Sequence, residues 1–448
     1  MNYLKGALMA AAAVSALGWL PAAAQEAPPA DAAAATAPSD YQLPADDPAP
    51  EEPAAAVEET PEPPPPPPPT PTISDAVAGG KLLFEERIRY ETVDQANLAP
   101  TAEAFTARTR LGWETADWKG FKALMEFEDV RQLGGEDYNT TINGKAAYPV
   151  IGDPDVTELN RLQLTYTTSA AFTLTLGRQR ILLDDQRFVG NAGWRQDEQT
   201  FDAIRADATL GKLKATYVYI GQVNRIYAEK LDWDSNSHLF HAIYAFAEPL
   251  KLQGFVYALD FDQSAANSTL TEGAKVTGAV WLDLVKLTYG ATYASQKDYG
   301  RNPGHFTLDY WEADLAATFD IYTAKAAYES LGGDGARGFG TPLATLHAYQ
   351  GWADVFLTTP ANGINDLNFT LNAKPRLKAK YLFNLDLTLR HHDFEAERTG
   401  AGLGSEWDAQ VTAAFNPKLS GFAKYADYDG VTAFPSRTKV WVGLEYKL

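Results

Sequence analysis

Cysteine is absent from the 448-residue sequence, so no disulfide bond can stabilise the folded chain. Small exported proteins usually depend on disulfides because their hydrophobic cores are small. A chain of this length can do without them, and we expect its fold to be stabilised by its own hydrogen-bond network.

A long hydrophobic run is also missing after the N-terminus. Residues 6–20 are uncharged and mostly apolar, follow one positive charge at Lys5, and lead into small residues before Gln25. This order is typical of a secretory signal peptide with cleavage before Gln25. A membrane-anchoring helix needs about 20 apolar residues, so it is the weaker alternative. We therefore predict a signal peptide at residues 1–24 and no transmembrane helix after it.

Lysine and arginine are absent from residues 25–78, which contain eleven acidic residues and seven consecutive prolines. Such a composition cannot bury a hydrophobic core, so we predict a disordered periplasmic linker. The whole chain carries a formal charge of −20. Of this charge, −11 lies in the linker and +1 in the signal peptide, which leaves −10 for residues 79–448. This acidity argues against nucleic acid as a partner.

After the linker, apolar and polar residues alternate with a period of two in many short segments. In AEAFTARTRLGW, Phe105 and Trp113 share one face, whereas Arg108 and Arg110 lie on the other. This alternation indicates β-strands with one apolar and one mixed face. A soluble β-sandwich also alternates, but its core would not accept charges in the middle of a strand.

The predicted strands are separated by connections of alternating length, which are longer after odd strands than after even ones. Outer-membrane barrels have short periplasmic turns, longer external loops and an even number of strands. We therefore predict an all-β fold, a transmembrane antiparallel β-barrel of about 18 strands over residues 79–448. The predicted strands begin near positions 80, 102, 119, 159, 171, 199, 212, 236, 251, 271, 286, 306, 321, 364, 379, 404, 419 and 436.

The C-terminal residues alternate in the same way up to Leu448, where such barrels typically end in an aromatic residue. Lipid cannot satisfy a free strand edge, so the first and last strands must pair. We expect the protein in the outer membrane of a Gram-negative bacterium. Its expected surroundings are outer-membrane lipid and lipopolysaccharide, and the outer-membrane assembly machinery would insert it.

A dense charge cluster lies in GRQRILLDDQRFVGNAGWRQDEQTFD, residues 177–202. Its arginines can bind carboxylates of a solute, or they can pair with acidic residues of the same stretch and fold a loop. For Arg187 and Arg195 we favour the second role. The acidic candidates for this pairing are Asp184, Asp185, Asp197 and Glu198.

The sequence resembles the alginate export family of outer-membrane porins in three features. They are the charged stretch at residues 177–202, the barrel pattern over residues 79–448, and the stretch GGDGARGFGTPLATLHAYQGWADVFLTTPANGINDL at residues 332–367. The resemblance implies a monomeric 18-stranded barrel with an electropositive constriction for an anionic polysaccharide. The acidic, proline-rich linker is not part of that pattern.

Arginines on the inward parity of the strands are the candidate binding residues. An arginine facing lipid at the bilayer midplane costs about 2–4 kcal/mol, so inward placement is favoured. Arg178 and Arg180 have the outward parity unless a bulge near Gly177 shifts the register. We favour this bulge; the alternative is that both arginines lie above the membrane at the level of the headgroups. The pore-lining candidates are Arg87, Arg108, Arg110, Arg161, Arg178, Arg180, Arg205 and Arg390.

These residues predict a channel that passes anionic saccharides or other small anionic solutes by passive diffusion, with polysaccharide export as one form. A general porin of little selectivity is the alternative, since the barrel itself carries −10. A barrel enzyme is weaker still, because His391 and His392 are adjacent and must point to opposite faces of a strand. We predict no enzyme activity, no cofactor and no metal site; Asp184–Asp185 and the GGDG motif lack a full calcium-loop signature.

Overall fold

A computed structural model describes residues 72–377 and 382–448. Within these residues, eighteen strands form one antiparallel sheet. The strands are β1 (Lys81–Gln95), β2 (Ala102–Glu114), β3 (Phe121–Gln132), β4 (Val156–Ser169), β5 (Phe172–Gln179), β6 (Thr200–Leu210), β7 (Leu213–Asn224), β8 (Trp233–Ala247), β9 (Leu250–Leu259), β10 (Thr269–Leu282), β11 (Val285–Asp298), β12 (Thr307–Phe319), β13 (Tyr322–Leu331), β14 (Ile364–Ala373), β15 (Asn384–Glu395), β16 (Gly402–Asn416), β17 (Leu419–Asp429) and β18 (Arg437–Lys447).

Each strand pairs with the next along the chain, and β18 pairs with β1 to close the barrel. In the closing pair, Ile88 lies opposite Leu444 and Arg89 lies opposite Gly443. Closure leaves no strand edge exposed to lipid, which is why a barrel can span a bilayer without helices. The predicted antiparallel barrel of about 18 strands is confirmed.

The connections follow the predicted alternation, since most even strands are followed by two-residue turns, such as residues 170–171. The exceptions are residues 115–120 and 374–383. The longest connections, residues 133–155 and 332–363, follow odd strands. The long connections therefore lie at one end of the barrel, opposite the start of β1 and the end of β18. No helix in the described part of the chain is long and apolar enough to cross a membrane.

The outer face of the barrel is apolar, as the period-two pattern requires. Its aromatic residues also pack on one another near strand ends, where Phe121 stacks on Tyr166 with 4.3 Å between ring centroids. Such residues are enriched at membrane interfaces. Exposed apolar side chains on this face include Ile88, Leu111, Met125, Leu164, Val256, Trp311, Leu371 and Val442.

Within the described residues, a short helix, α1 (Ile73–Ala78), precedes the barrel. The Thr72 hydroxyl caps its first turn by accepting a bond from the Asp75 backbone N–H, and the Trp113 indole N–H donates to the Val77 carbonyl at 3.0 Å. The prediction that the linker is disordered as far as Ala78 was therefore wrong for the helical residues, because a cap and a strand tryptophan hold them. The predicted signal peptide and linker residues 25–71 lie outside the described residues.

The buried core of the molecule lies inside the barrel, not between two sheets. Two connections fold into the lumen, namely the β5–β6 loop (residues 180–199) and the β13–β14 loop (residues 332–363). Phe188 of the first loop packs on wall residues Phe255 and Tyr310, with centroid distances of 5.1 and 5.2 Å. Three single-turn 3₁₀ helices complete the elements, at Glu229–Leu231, Ala265–Asn267 and Leu346–Ala348.

Candidate functional site

The two inward loops contact each other across the lumen and narrow it. The Gly190 backbone N–H donates to the Leu343 carbonyl at 2.8 Å, and the Thr345 hydroxyl donates to Gln186 at 2.7 Å. Several apolar loop residues, such as Ile181 and Phe339, are fully buried. These contacts make the loops a packed constriction on the side of the long connections.

A network of arginines and glutamates joins the β5–β6 loop to strands β2–β4. The Arg161 guanidinium donates two bonds to Glu126, at 2.8 and 2.6 Å. Arg180 donates to Glu198 of the same loop at 2.6 Å, and Arg110 lies between Glu198 and Glu128 of the wall. Each of these arginines therefore already has a carboxylate partner.

Two further candidates, Arg87 and Arg108, lie beside this network. Arg108 is fully buried and pairs with Glu85 and Glu445. Arg87 pairs with Glu445 at 3.2 Å and also donates to the carbonyl of Gly193 in the β5–β6 loop at 3.1 Å. Buried and bonded guanidinium groups hold the loop against the wall, and they present little free charge to a solute.

Arg178 and Arg205 lie outside the network, and each has a single acidic partner. Arg205 faces the lumen and pairs bidentately with Asp207, at 2.8 and 2.9 Å. Arg178 pairs with Asp202 at 2.8 Å and lies opposite the outward-facing Leu162 in the strand pairing.

The expected bulge near Gly177 is not present, because the pairing of β5 with both of its neighbours runs through this position without a register shift. Gly177 instead has a φ of +102°, which glycine adopts without strain. Arg180 turns inward only because it lies beyond the end of the strand. The bulge prediction was therefore wrong, and Arg178 keeps the outward parity of its strand.

Arg390, on the opposite wall, forms no ion pair with a carboxylate among the described residues. It donates to the Thr370 hydroxyl at 3.1 Å, and its guanidinium carbon lies 5.2 Å from the centroid of the Trp352 ring. Its register neighbour Asp408 lies instead beside the His392 ring, at 3.6 Å. This arginine keeps its charge available to the lumen.

A buried cation, Lys424, lies next to Arg390 and was not among the pore-lining residues predicted from the sequence. The Lys424 ammonium lies 3.5 Å from the Trp352 ring centroid and 4.3 Å from that of Trp194, so it joins both inward loops to β17. It too has no carboxylate ion pair in the described residues. The inward parity of Lys424 was visible in the sequence, but its aromatic neighbours come from distant loops.

Arg187 and Arg195 brace the loop as predicted, although with other partners. Arg187 pairs with Glu329 of β13 and lies over the Tyr349 ring at 4.7 Å. Arg195 pairs with Asp354 at 3.2 Å and with Glu91. The expected pairing with acids of the same stretch is therefore wrong for these two arginines.

The acids Asp184 and Asp185 bind Lys275 of β10 instead, at 2.7 and 2.6 Å. Although burial opposes ionisation, Lys275 lowers the pKa of Asp185 below its usual range. The first part of the β5–β6 loop is thus held to the wall by ion pairs with a lysine that is distant in the sequence.

His347 connects the β13–β14 loop to Lys424. Its Nδ1 is 2.7 Å from an Asp354 oxygen and its Nε2 is 2.7 Å from the Lys424 ammonium, which requires a neutral ring that donates to the acid and accepts from the lysine. Burial, together with the nearby charge of Lys424, lowers the pKa of His347 to about 3. The ring also stacks on Trp194 at 4.5 Å.

This arrangement predicts an acid-sensitive constriction. Between the ordinary pKa of 6.5 and the folded value of about 3, the unfolded chain binds a proton that folded His347 does not. The free energy of unfolding should therefore decrease by about 1.4 kcal/mol for each pH unit below 6.5, and the His347→Gln variant should lack this part. Thermal unfolding of both proteins at pH 7 and pH 4 measures the difference; equal pH dependence would contradict it.

Cavities lie on both sides of the constriction. On the side of the long loops, a cavity of about 140 Å³ is lined by Trp194, Arg225, His347 and other loop residues. On the side of the short turns, a recess of about 250 Å³ is lined by Arg205, Lys214 and other residues of the inner wall. The two spaces place charged and aromatic side chains where a solute would enter and leave the constriction.

Comparison with known proteins agrees with this architecture. A family model described as alginate export matches residues 81–297, just under half of the chain, which supports the predicted resemblance. The match includes residues 177–202 and ends before residues 332–367. No curated protein matches the sequence.

Several solved structures share the fold. OccAB2 of Acinetobacter baumannii has a TM-score of 0.67 at 14% identity, covering 83% of this chain and 98% of its own. OccAB1 of the same organism has a TM-score of 0.66 at 13% identity, with the same coverage. Pseudomonas aeruginosa OpdK with vanillate has a TM-score of 0.64 at 14% identity, covering 83% and 99%. At these identities the likeness shows the fold.

The closed barrel, its apolar outer belt and the family match together place the chain in the outer membrane of a Gram-negative bacterium. It is an integral, porin-like β-barrel.

Proposed function

Starting from a porin-like outer-membrane barrel with an inward-folded constriction, we propose that this protein is a passive channel for small anionic solutes, acidic saccharides included. The observation that carries the proposal is the positive charge of Arg390, which lies beside the constriction and forms no ion pair with a carboxylate among the described residues. Positive side chains on a pore wall attract anions and exclude cations, and a low-dielectric wall strengthens their field.

Further unpaired cations lie on the inner wall toward the short turns. Lys214 and Lys251 have inward parity and form no ion pair with a carboxylate in the part of the chain that is described. Lys214 also lines the recess below the constriction. An anion on the periplasmic side of the constriction would therefore meet these two lysines.

Arg390 also lies beside an aromatic ring, since its guanidinium carbon is 5.2 Å from the centroid of the buried Trp352. A carboxylate would match the Arg390 guanidinium, which can bind it through two parallel hydrogen bonds. OpdK, whose fold is similar, was crystallised with vanillate, which is an aromatic carboxylate. This supports small organic acids as the solute class.

A planar-bilayer experiment tests the proposal. The wild-type channel should show an anion-selective reversal potential in a KCl gradient, and Arg390→Ala should shift it toward cations because an unpaired charge is lost. Arg398→Ala is the matched control: this arginine also lacks a carboxylate partner among the described residues, but it lies in the β15–β16 loop. If Arg390→Ala leaves the potential unchanged, the arginine does not select ions.

A general porin of little selectivity is the second candidate. The neutralised arginines of β1–β6 favour it, because a wall of paired charges has a weak net field. A reversal potential near zero in the wild-type channel, unaffected by added organic acids, would support this alternative.

A further inference from the structure

Three carboxylates meet on the wall side of the β5–β6 loop, away from Arg390 and Lys424. Glu128 of β3 and Glu158 of β4 are paired in register, and Asp197 of the loop lies against them. One oxygen of each residue lies within 4.8 Å of the others. The loop is fixed in this place by the Glu198 backbone N–H, which donates to Glu128 at 3.3 Å.

The charges of this cluster are only partly balanced. Glu128 pairs with Arg110, but neither Glu158 nor Asp197 forms an ion pair with any described residue. Arg178, near the end of β5, is bonded to Asp202 instead. Two carboxylates beside a third therefore remain without a cation.

Hydrogen bonds do not compensate for this deficit. Asp197 is fully buried, and its Oδ1 has no hydrogen-bond partner among the described residues, while its Oδ2 accepts one bond of 3.4 Å from the Ala228 N–H. The Glu158 Oε1 is also buried without a partner. Buried ionised carboxylates are strongly unfavourable unless they are paired, bonded to a metal or protonated.

We propose that Glu128, Glu158 and Asp197 bind one hard divalent cation of the calcium class. All three ligands offer oxygen, which Ca²⁺ and Mg²⁺ prefer, and no nitrogen or sulfur ligand takes part in the cluster. Their separation leaves room for an ion with water molecules completing its coordination. The sequence does not suggest this site, because the ligands come from two strands and a loop.

The ion would act as a clamp between the loop and the wall. Asp197 lies two residues from Arg195 and three from Trp194. Both of these contact the β13–β14 loop, since Arg195 pairs with Asp354 and Trp194 stacks on His347. Binding at Asp197 therefore stabilises the closed arrangement of the β5–β6 loop. This inference does not depend on the solute class.

Cation binding can be measured on the whole chain purified in detergent free of lipopolysaccharide, which itself binds Ca²⁺. Terbium luminescence should show one Tb³⁺ per chain, displaced by Ca²⁺, and Ca²⁺ should raise the melting temperature relative to EDTA. Ca²⁺ at a hundred times its dissociation constant raises the ratio of folded to unfolded protein about 100-fold.

The variants Asp197→Asn and Glu158→Gln should each weaken Tb³⁺ binding at least about tenfold, since even partners outside the ligand set change metal affinity about 10–100-fold. In EDTA they should be at least as stable as the wild-type chain, because an unpaired buried charge is gone. Glu312→Gln is the control: it removes an inward carboxylate of β12, far from the cluster, and should leave Tb³⁺ binding unchanged.

Three results would overturn the proposal. The first is a wild-type chain that binds no Tb³⁺ and gains no stability in millimolar Ca²⁺, and the second is unchanged binding in both variants. The third is stabilisation by acid alone without a cation response, which would mean that protons neutralise the cluster. If Asp197→Asn does not fold, Glu158→Gln and the number of Tb³⁺ ions bound by the wild-type chain still test the proposal.

Discussion

Replacing Arg110 with methionine should destabilise the folded barrel by about 3–5 kcal/mol, the usual cost of removing one partner from a buried ion pair. The side chain is almost fully buried and contacts Glu128, Glu198 and Glu85. Methionine keeps most of the volume, so the loss comes from carboxylates that remain buried without a cation. Urea unfolding in detergent micelles measures the change.

Two further variants make this prediction specific. Arg205→Met removes an arginine whose ion pair with Asp207 is partly exposed, so it should cost about 1 kcal/mol or less. Adding Glu128→Gln to Arg110→Met should recover part of the stability, because one stranded charge is removed. If the Arg110 and Arg205 variants were equally stable, the arginines of β2 would not brace the loop.

Replacing Trp352 with alanine should open the channel. The ring is buried and lies between Lys424 and Arg390, and truncation of a buried aromatic residue costs about 3–5 kcal/mol. The lost free energy weakens the attachment of the β13–β14 loop to the wall, whereas the hydrogen bonds between the strands stay intact. Single-channel recordings should therefore show a larger and noisier conductance than the wild-type channel.

Trp407→Ala is the control for this experiment, because Trp407 is on β16 but faces outward and is half exposed. It should leave the conductance at the wild-type value. An unchanged conductance in Trp352→Ala would show that the loop is held without the tryptophan, and the constriction would then depend on the arginine–glutamate network alone.

The sequence determined the barrel itself. Alternation with a period of two fixes which residues face outward, so Ile88 and Tyr90 could be assigned to the outer surface and Arg87 and Arg89 to the inside. The number of strands follows from the same pattern and from the connection lengths. These features are local, and lipid enforces them because every outward position must be apolar.

The tertiary structure decided which charges are free. Arg187 finds Glu329, 142 residues away, and Lys424 finds the rings of two different loops. Sequence alternation places an arginine inside the barrel, but it does not show whether a carboxylate from another strand neutralises it. Arg108 and Arg390 therefore look alike in the sequence, although one is buried in ion pairs and the other is not.

The paths of the two inward loops also lie beyond local pattern. A loop in a wide lumen is positioned by contacts with strands that are distant in the sequence, such as the bonds from Arg87 to the carbonyls near Trp194. Parity assigns a strand residue to a face, but it gives no position for a residue in a loop. The sequence by itself thus determined the wall of this protein, and only the packing of its loops decided which wall charges meet a carboxylate and which remain open to a solute.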